Sequence, residues 1–192
     1  MEKLEFYKKM TGVVVRVHSY KDGNLREATG NGVVIIKNRY IITSDHIFQE
    51  DCEHLTIGKF NEELKLAQLV ATKPSVDLAI IKPVDFYDDY EYCKLADDQA
   101  LNIGMQVLSI SNLVSLGFTF DSGHLAHGFN GEVANTRISE IVRECEFGSR
   151  EFFERHDANT PVLQICGLSS CAGSSGAPIF DCTGMVVGIL FM

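Results

Sequence analysis

The stretch NGVVIIKNRYIITSDHI, residues 31–47, holds two short apolar runs rich in Val and Ile, separated by the polar KNRY. Runs of β-branched residues favour strands, and a short polar segment between two such runs is typical of a tight turn. The second run delivers His46 at its C-terminal end, where the strand gives way to a loop. The stretch therefore predicts two strands joined by a turn, with a histidine just beyond the second.

Runs of the same kind extend in both directions. They are TGVVVRVHS, HLTIGKF, LKLAQLVAT and DLAIIKP in the first half, and MQVLSIS, FTFDSGHLAHG, PVLQIC, APIF and MVVGILFM in the second. We interpret DGN and GNG, near the start, as turn chemistry between the first two strands. Short strands at regular spacing are typical of an all-β barrel or sandwich rather than a βαβ array.

The character of the chain changes near residue 85, where VDFYDDYEYCKLADDQ is acidic and aromatic. The strands on either side form two sets of about six, which suits two small barrels. We therefore predict an N-terminal barrel over residues 1–84, a linker over 85–104 and a C-terminal barrel over 105–192.

One segment, residues 135–157, departs from the β pattern. Ile138, Ile141 and Val142 recur there at helix-like spacing among charged residues. We favour a solvated helix or long loop between strands. A regulatory or partner-binding insertion is the alternative.

The composition limits the class of protein. The chain has 192 residues, of which 45% are hydrophobic and 22% charged, as in a soluble globular domain with a sizeable core. A formal net charge of −9 argues against a nucleic-acid partner. No apolar run reaches the ~18 residues of a membrane span, so no membrane partner is expected.

The first ten residues, MEKLEFYKKM, lack the apolar core of a secretory signal. We therefore predict an intracellular, cytoplasmic protein whose six cysteines are free thiols. No CxxC pair occurs, so a structural zinc site is not expected. Nothing else in the sequence implies a metal or a cofactor.

The segment CAGSSGAPIF, residues 171–180, is either a flexible turn between strands or a loop that holds a reactive serine. A hydroxyl nucleophile needs a base, and the base needs an orienting group. His46, Asp77 and Ser175 supply those three types in chain order, each at a strand–loop junction. Each residue alone is more often structural, but their joint occurrence favours catalysis.

Glycines beside Ser175 have a physical use in such a site. An oxyanion hole built from main-chain amides needs a tight turn, and glycine adopts positive φ at low cost. The amides of Gly173 and Ser175 are the predicted donors, with Ser174 between them.

Four segments of this chain resemble motifs of the HtrA (Deg) family of chymotrypsin-like serine proteases. They are GNGVVIIKNRYIITSDHI, VDLAIIK, FDSGHLAHG and LQICGLSSCAGSSGAPIFDCTGMVVGI, in register from about residue 11 to 190. The resemblance implies two antiparallel six-stranded β-barrels, with the active site in the cleft between them. It implies that His46 is the base, Asp77 the orienting acid and Ser175 the nucleophile.

The same resemblance implies protein or peptide substrates, and an S1 pocket with Ser169 and Ser170 near its wall. The sequence ends with MVVGILFM, short of the family's last strand, and we expect no PDZ module. We therefore expect a second barrel that is incomplete at the C-terminus, with an edge open to self-association or to a partner strand. The alternative to an active endopeptidase is a catalytically weak or inactive protease-like scaffold.

Overall fold

The structure of the protein is a computed structural model. It describes residues 3–21, 24–36, 39–48, 52–85, 90–97, 101–113, 117–126, 136–137, 161–169 and 172–191.

The first half of the chain forms a closed antiparallel barrel of six strands, in the order β1-β2-β3-β6-β5-β4. Val15 and Val17 of β1 and Ile81 of β6 point into its interior and are fully buried. The strands are β1 (Val14–Lys21), β2 (Asn24–Ile36), β3 (Tyr40–Thr43), β4 (His54–Gly58), β5 (Lys65–Lys73) and β6 (Leu78–Pro83).

In the residues that the structure describes, the second half forms an open, curled sheet of five strands in the order β11-β8-β7-β12-β13, together with a separate β9–β10 pair. Its strands are β7 (Gln106–Asn112), β8 (Phe118–Leu125), β9 (Thr136–Arg137), β10 (Pro161–Val162), β11 (Ile165–Cys166), β12 (Pro178–Phe180) and β13 (Val186–Ile189). One closed barrel and one incomplete barrel confirm the predicted all-β, trypsin-like fold class.

The turn interpretation of GNG is wrong. Gly30, Asn31 and Gly32 lie inside β2, where Asn31 and Gly32 pair with β1. A Cβ at Gly30 would overlap the Ile47 side chain and press on the carbonyl oxygen of Ser175. Glycine is present because neighbouring segments approach the strand closely, and not because the chain turns.

An N-terminal helix, α1 (Lys3–Met10), was not expected from the sequence. Phe6 and Met10 are its buried residues, and the Phe6 ring packs edge-on against Phe180 of the second sheet, with centroids 5.9 Å apart. A helix this short gains its stability mainly from tertiary packing. The cluster that it joins contains residues of both sheets, so the two halves share a core: Val14, Val33, Leu108, Ile110, Phe118 and Phe180.

Only part of the predicted helix or loop over residues 135–157 falls within the described residues. Thr136–Arg137 forms β9, which pairs with Pro161–Val162. The remainder of that prediction lies outside the residues that the structure describes. Among the described helices, none is long and apolar enough to cross a membrane.

Four cysteines fall within the described residues, and all four are free: Cys52, Cys93, Cys166 and Cys182. Burial raises the pKa of the Cys93 thiol to about 11. Cys145 and Cys171 lie outside the described part of the chain.

Candidate active site

His46 stands just after β3, in a single 3-10 turn over Asp45–Ile47. Ile47 is buried in the barrel core, which anchors the turn to the end of the barrel. The imidazole remains partly accessible, with 26% of its side-chain surface exposed. The histidine is therefore held by a rigid support while its ring can still meet a ligand.

Asp77 lies between a second 3-10 turn, Pro74–Val76, and the start of β6. Its backbone is left-handed (φ 52°, ψ 43°), a conformation that Asp and Asn tolerate better than most residues with a side chain. The carboxylate is buried, and its Oδ1 accepts a hydrogen bond from the His46 main-chain N–H at 2.8 Å. This bond ties the two turns together.

The side chains of Asp77, His46 and Ser175 form a continuous chain of hydrogen bonds. Asp77 Oδ2 lies 2.7 Å from His46 Nδ1, and His46 Nε2 lies 2.8 Å from Ser175 Oγ. Because an ionised carboxylate can only accept, Nδ1 carries the proton of the neutral ring. Nε2 is then free to accept the proton of the Ser175 hydroxyl.

Ser175 belongs to a tight segment, residues 173–176, that we call the glycine turn. Gly173 and Gly176 both have positive φ, +93° and +77°. The Ser174 carbonyl accepts from the Ala177 amide at 3.0 Å, and the Gly176 amide donates to Leu190 at 2.8 Å. Among the described residues, neither the Gly173 nor the Ser175 amide has a hydrogen-bond acceptor, so both can donate to a ligand.

Gly176 cannot be replaced without moving main chain. Its φ of +77° disfavours any side chain, and a Cβ would overlap the carbonyl oxygen of Asn31. We expect Gly176→Ala to lower the free energy of unfolding by about 3 to 5 kcal/mol. Chemical denaturation measures this loss.

Gly104→Ala is the matched control. Gly104 has nearly the same φ, +76°, but nothing lies within 4 Å of the position of its Cβ. It should therefore cost only the conformational part, about 1 to 2 kcal/mol. Equal losses in the two variants would show that the overlap with Asn31 has no consequence.

The two residues predicted near the S1 wall are only partly described. Ser169 is exposed, and its main-chain N–H donates to the carboxylate of Asp121 on β8. The other Asp121 oxygen accepts from the Ser122 amide at 2.7 Å. Ser170 lies outside the described residues. No sequence signal singled out Asp121, because a single acidic residue in a strand has no characteristic spacing.

Asn31 is a second residue near the site that the sequence did not indicate. It is fully buried, and its side-chain amide contacts the glycine turn. In the part of the chain that the structure describes, no group of three His, Cys, Asp or Glu side chains is placed to hold a metal ion.

A two-barrel β fold with a histidine and an aspartate on the first barrel, and a serine on the second sheet, defines the architecture of chymotrypsin-like peptidases. The model of the trypsin-like peptidase domain matches residues 30–189. This match covers most of the chain, which therefore belongs to the trypsin-like peptidase domain family.

Two curated relatives carry the name probable periplasmic serine endoprotease DegP-like. The protein from Bartonella henselae is 29% identical over 162 residues, and that from Rhizobium meliloti is 28% identical over 169. These alignments cover 84% and 88% of this chain but 27% and 29% of the relatives, so the chain spans less than a third of their length.

Solved structures show the same fold. The HtrA-type protease AlgW with tripeptide superimposes with a TM-score of 0.74 at 18% identity, over 98% of this chain and 54% of that one. A serine endoprotease from Yersinia pestis gives 0.74 at 22% identity, over 100% of this chain and 58% of its own.

The predicted cytoplasmic location is contradicted by the curated relatives, which are named as periplasmic. That prediction depended on the absence of a signal in the first ten residues. Because the chain matches less than a third of each relative, its first residues carry no information about a leader. The expectation of free thiols was based on the same cytoplasmic location, so that location no longer supports it.

Proposed function

We propose that this domain is a serine endopeptidase of the HtrA (Deg) type, which hydrolyses peptide bonds in protein or peptide substrates. The observation that carries the proposal is the hydrogen-bonded chain from Asp77 through His46 to Ser175, with distances of 2.7 and 2.8 Å. A periplasmic location, as in the named relatives, belongs to the same proposal.

Ser175 is the proposed nucleophile. Its Oγ attacks the carbonyl carbon of the scissile peptide while His46 Nε2 takes the hydroxyl proton. His46 then gives that proton to the leaving amine, which departs and leaves an acyl-enzyme. Water, activated in turn by His46, releases the acid and restores Ser175. Asp77 holds the imidazole in the correct tautomer and stabilises the imidazolium that forms.

The oxyanion of the tetrahedral intermediate is the second centre of charge. We assign its stabilisation to the Gly173 and Ser175 amides, with Ser174 between them. Their freedom from other acceptors among the described residues supports this assignment. Each such donor contributes about 3 kcal/mol to the transition state.

The proposed division of labour follows the predicted domains. Residues 1–84 carry the base and the orienting acid, residues 85–104 connect the halves, and residues 105–192 carry the nucleophile. Ser169 and Ser170 are proposed to line the substrate pocket, a role supported by the resemblance alone. The bond from the Ser169 amide to the Asp121 carboxylate holds this segment against β8.

Self-association or the addition of a partner strand is proposed for the outer edge of β13. In the described residues, pairing on this edge involves Val186, whose amide donates to Lys94 and whose carbonyl accepts from Ala96. An edge of this kind can accept another strand. Light scattering at micromolar protein distinguishes an oligomer from a monomer.

The alternative, a catalytically inactive scaffold, receives no support from the site geometry, because the chain of hydrogen bonds is unbroken. Fluorophosphonate labelling is the direct test, since the reagent reacts with an activated serine and needs little of the substrate pocket. We expect a single adduct, mapped by mass spectrometry to Ser175, together with cleavage of an unfolded protein substrate. A folded protein that neither labels nor cleaves would overturn the proposal.

A further inference from the structure

We propose that Asn31 is a positioning residue that holds the glycine turn in its reactive shape. Asn31 lies on β2 of the first barrel, 142 positions before Gly173, and its side chain is fully buried. The inference rests on the proposed function and adds to it a residue that acts through the nucleophile's own backbone.

The side-chain amide of Asn31 links three segments. Its Nδ2 donates to the Gly173 carbonyl at 2.7 Å, and its Oδ1 accepts from the Asn112 main-chain N–H at 2.6 Å, at the end of β7. These partners determine the orientation of the amide, because a carbonyl must accept and an N–H must donate. Both ends of the side chain are therefore used.

The main chain of Asn31 adds two further bonds. Its N–H donates to the Ser175 carbonyl at 2.8 Å, and its own carbonyl accepts from Thr43 Oγ1 at 2.6 Å. Thr43 of the barrel therefore holds the Asn31 main chain, and Asn31 in turn holds the glycine turn.

Trans peptide geometry connects these bonds to the reactive groups. Because C=O and N–H point in opposite directions across a peptide, fixing a carbonyl also fixes the following amide. The Ser174 carbonyl is fixed by the Ala177 amide, the Ser175 carbonyl by Asn31 N–H, and the Gly173 carbonyl by Asn31 Nδ2. Hydrogen bonds therefore fix the orientation of three consecutive peptides, 173–174, 174–175 and 175–176.

The side chain of Asn31 matters most at Gly173. Glycine has the widest backbone freedom, and Gly173 has a φ of +93°. Among the described contacts, the Asn31 side chain is the only hydrogen-bond donor to the Gly173 carbonyl. Without that anchor, the 173–174 peptide, which carries the Ser174 amide, can rotate about the Gly173 Cα. This rotation changes the orientation of the Gly173 amide relative to the Ser175 amide and so disturbs the pair of proposed donors and the approach of Ser175.

The test compares Asn31→Ala and Asn31→Asp with Ser109→Ala. Ser109 is a buried serine of β7 whose Oγ donates to the Pro178 carbonyl at 3.0 Å, beyond the glycine turn. It therefore controls for loss of a buried side-chain bond to a main-chain carbonyl. Labelling rate, kcat and KM are measured below the unfolding temperature of each variant, with the folded fraction checked by circular dichroism.

We expect Asn31→Ala to lower kcat and the labelling rate by about 10- to 100-fold, with KM changed less than about twofold. Ser109→Ala should lower stability but change kcat by less than about twofold. A kcat for Asn31→Ala no lower than that of Ser109→Ala, or an effect on KM alone, would overturn the inference.

Asn31→Asp keeps the shape and gives a readout that a purely structural role would not. Its protonated carboxyl can donate to the Gly173 carbonyl, whereas the ionised form cannot. Burial raises the pKa of such a carboxyl, so that it loses its proton within or near the range from pH 5.5 to 8.5. The labelling rate of the Asn31→Asp variant, divided by that of the unaltered chain, should therefore fall as the pH rises through this range. A ratio independent of pH would contradict the proposal.

The two proposals fail in different ways. If the unaltered chain labels at Ser175 but the Asn31 variants behave like Ser109→Ala, only the positioning role is overturned. If the unaltered, folded chain does not label at all, both are overturned.

Discussion

Ser175→Ala should abolish fluorophosphonate labelling and lower peptide hydrolysis by about 10⁴- to 10⁶-fold. Ser175 Oγ is the atom that would carry the acyl group of the acyl-enzyme. In the structure it is hydrogen-bonded to His46 Nε2 at 2.8 Å. Removal of this single oxygen leaves the base and the oxyanion donors in place but gives them nothing to activate. Labelling followed by mass spectrometry, and a fluorogenic peptide assay, measure the two losses.

The fold should survive this substitution. The main-chain bonds of the glycine turn, from Asn31 to the Ser175 carbonyl and from Gly176 to Leu190, do not involve the hydroxyl. We expect the free energy of unfolding to change by less than about 1 kcal/mol. Ser109→Ala serves as control, because it removes another buried serine hydroxyl, away from His46. Persistent labelling of Ser175→Ala would identify a different nucleophile.

Asp77→Asn should lower kcat by about 10⁴-fold with the fold preserved. The remaining oxygen is expected to accept from the His46 main-chain N–H, as Oδ1 does at 2.8 Å. The new amide group then faces Nδ1, which must accept rather than donate. The ring proton moves to Nε2, and a protonated Nε2 cannot take the proton of Ser175.

Asparagine is the informative replacement at this position for a backbone reason. Asp77 has a φ of 52°, and Asn is among the residues that best tolerate the left-handed region. Asp77→Ala would add backbone strain to the loss of the carboxylate and would confuse the two effects. Steady-state kinetics with a thermal unfolding curve separates them. A variant with kcat within about tenfold of the unaltered chain would show that Asp77 does not determine the tautomer.

The sequence was most informative about strands. Alternating and β-branched runs indicated the six strands of the barrel and the longer strands of the second sheet, because strand burial follows a period of two residues. The same logic failed at GNG, where glycines within β2 look like a turn when read locally. It also gave no sign of α1, whose stability comes from Phe6 and Met10 inside a core built by distant strands.

The sequence likewise indicated some features of the candidate site and not others. His46, Asp77 and Ser175 could be singled out from the sequence because each chemical type stands at the end or start of an apolar run. The distances between their side chains could not be predicted from the sequence. His46 and Asp77 are 31 positions apart along the chain, and His46 and Ser175 are 129 positions apart.

By itself, the sequence determined the all-β class, the positions of most strands along the chain and the three residue types of a nucleophilic site. Only the tertiary structure decided that Asn31 reaches the Gly173 carbonyl and the Asn112 amide, 142 and 81 positions away. The physical reason is that local pattern reports which face of a segment is buried, but not which buried polar groups will meet. Those partners are set by how the two halves pack around their shared core.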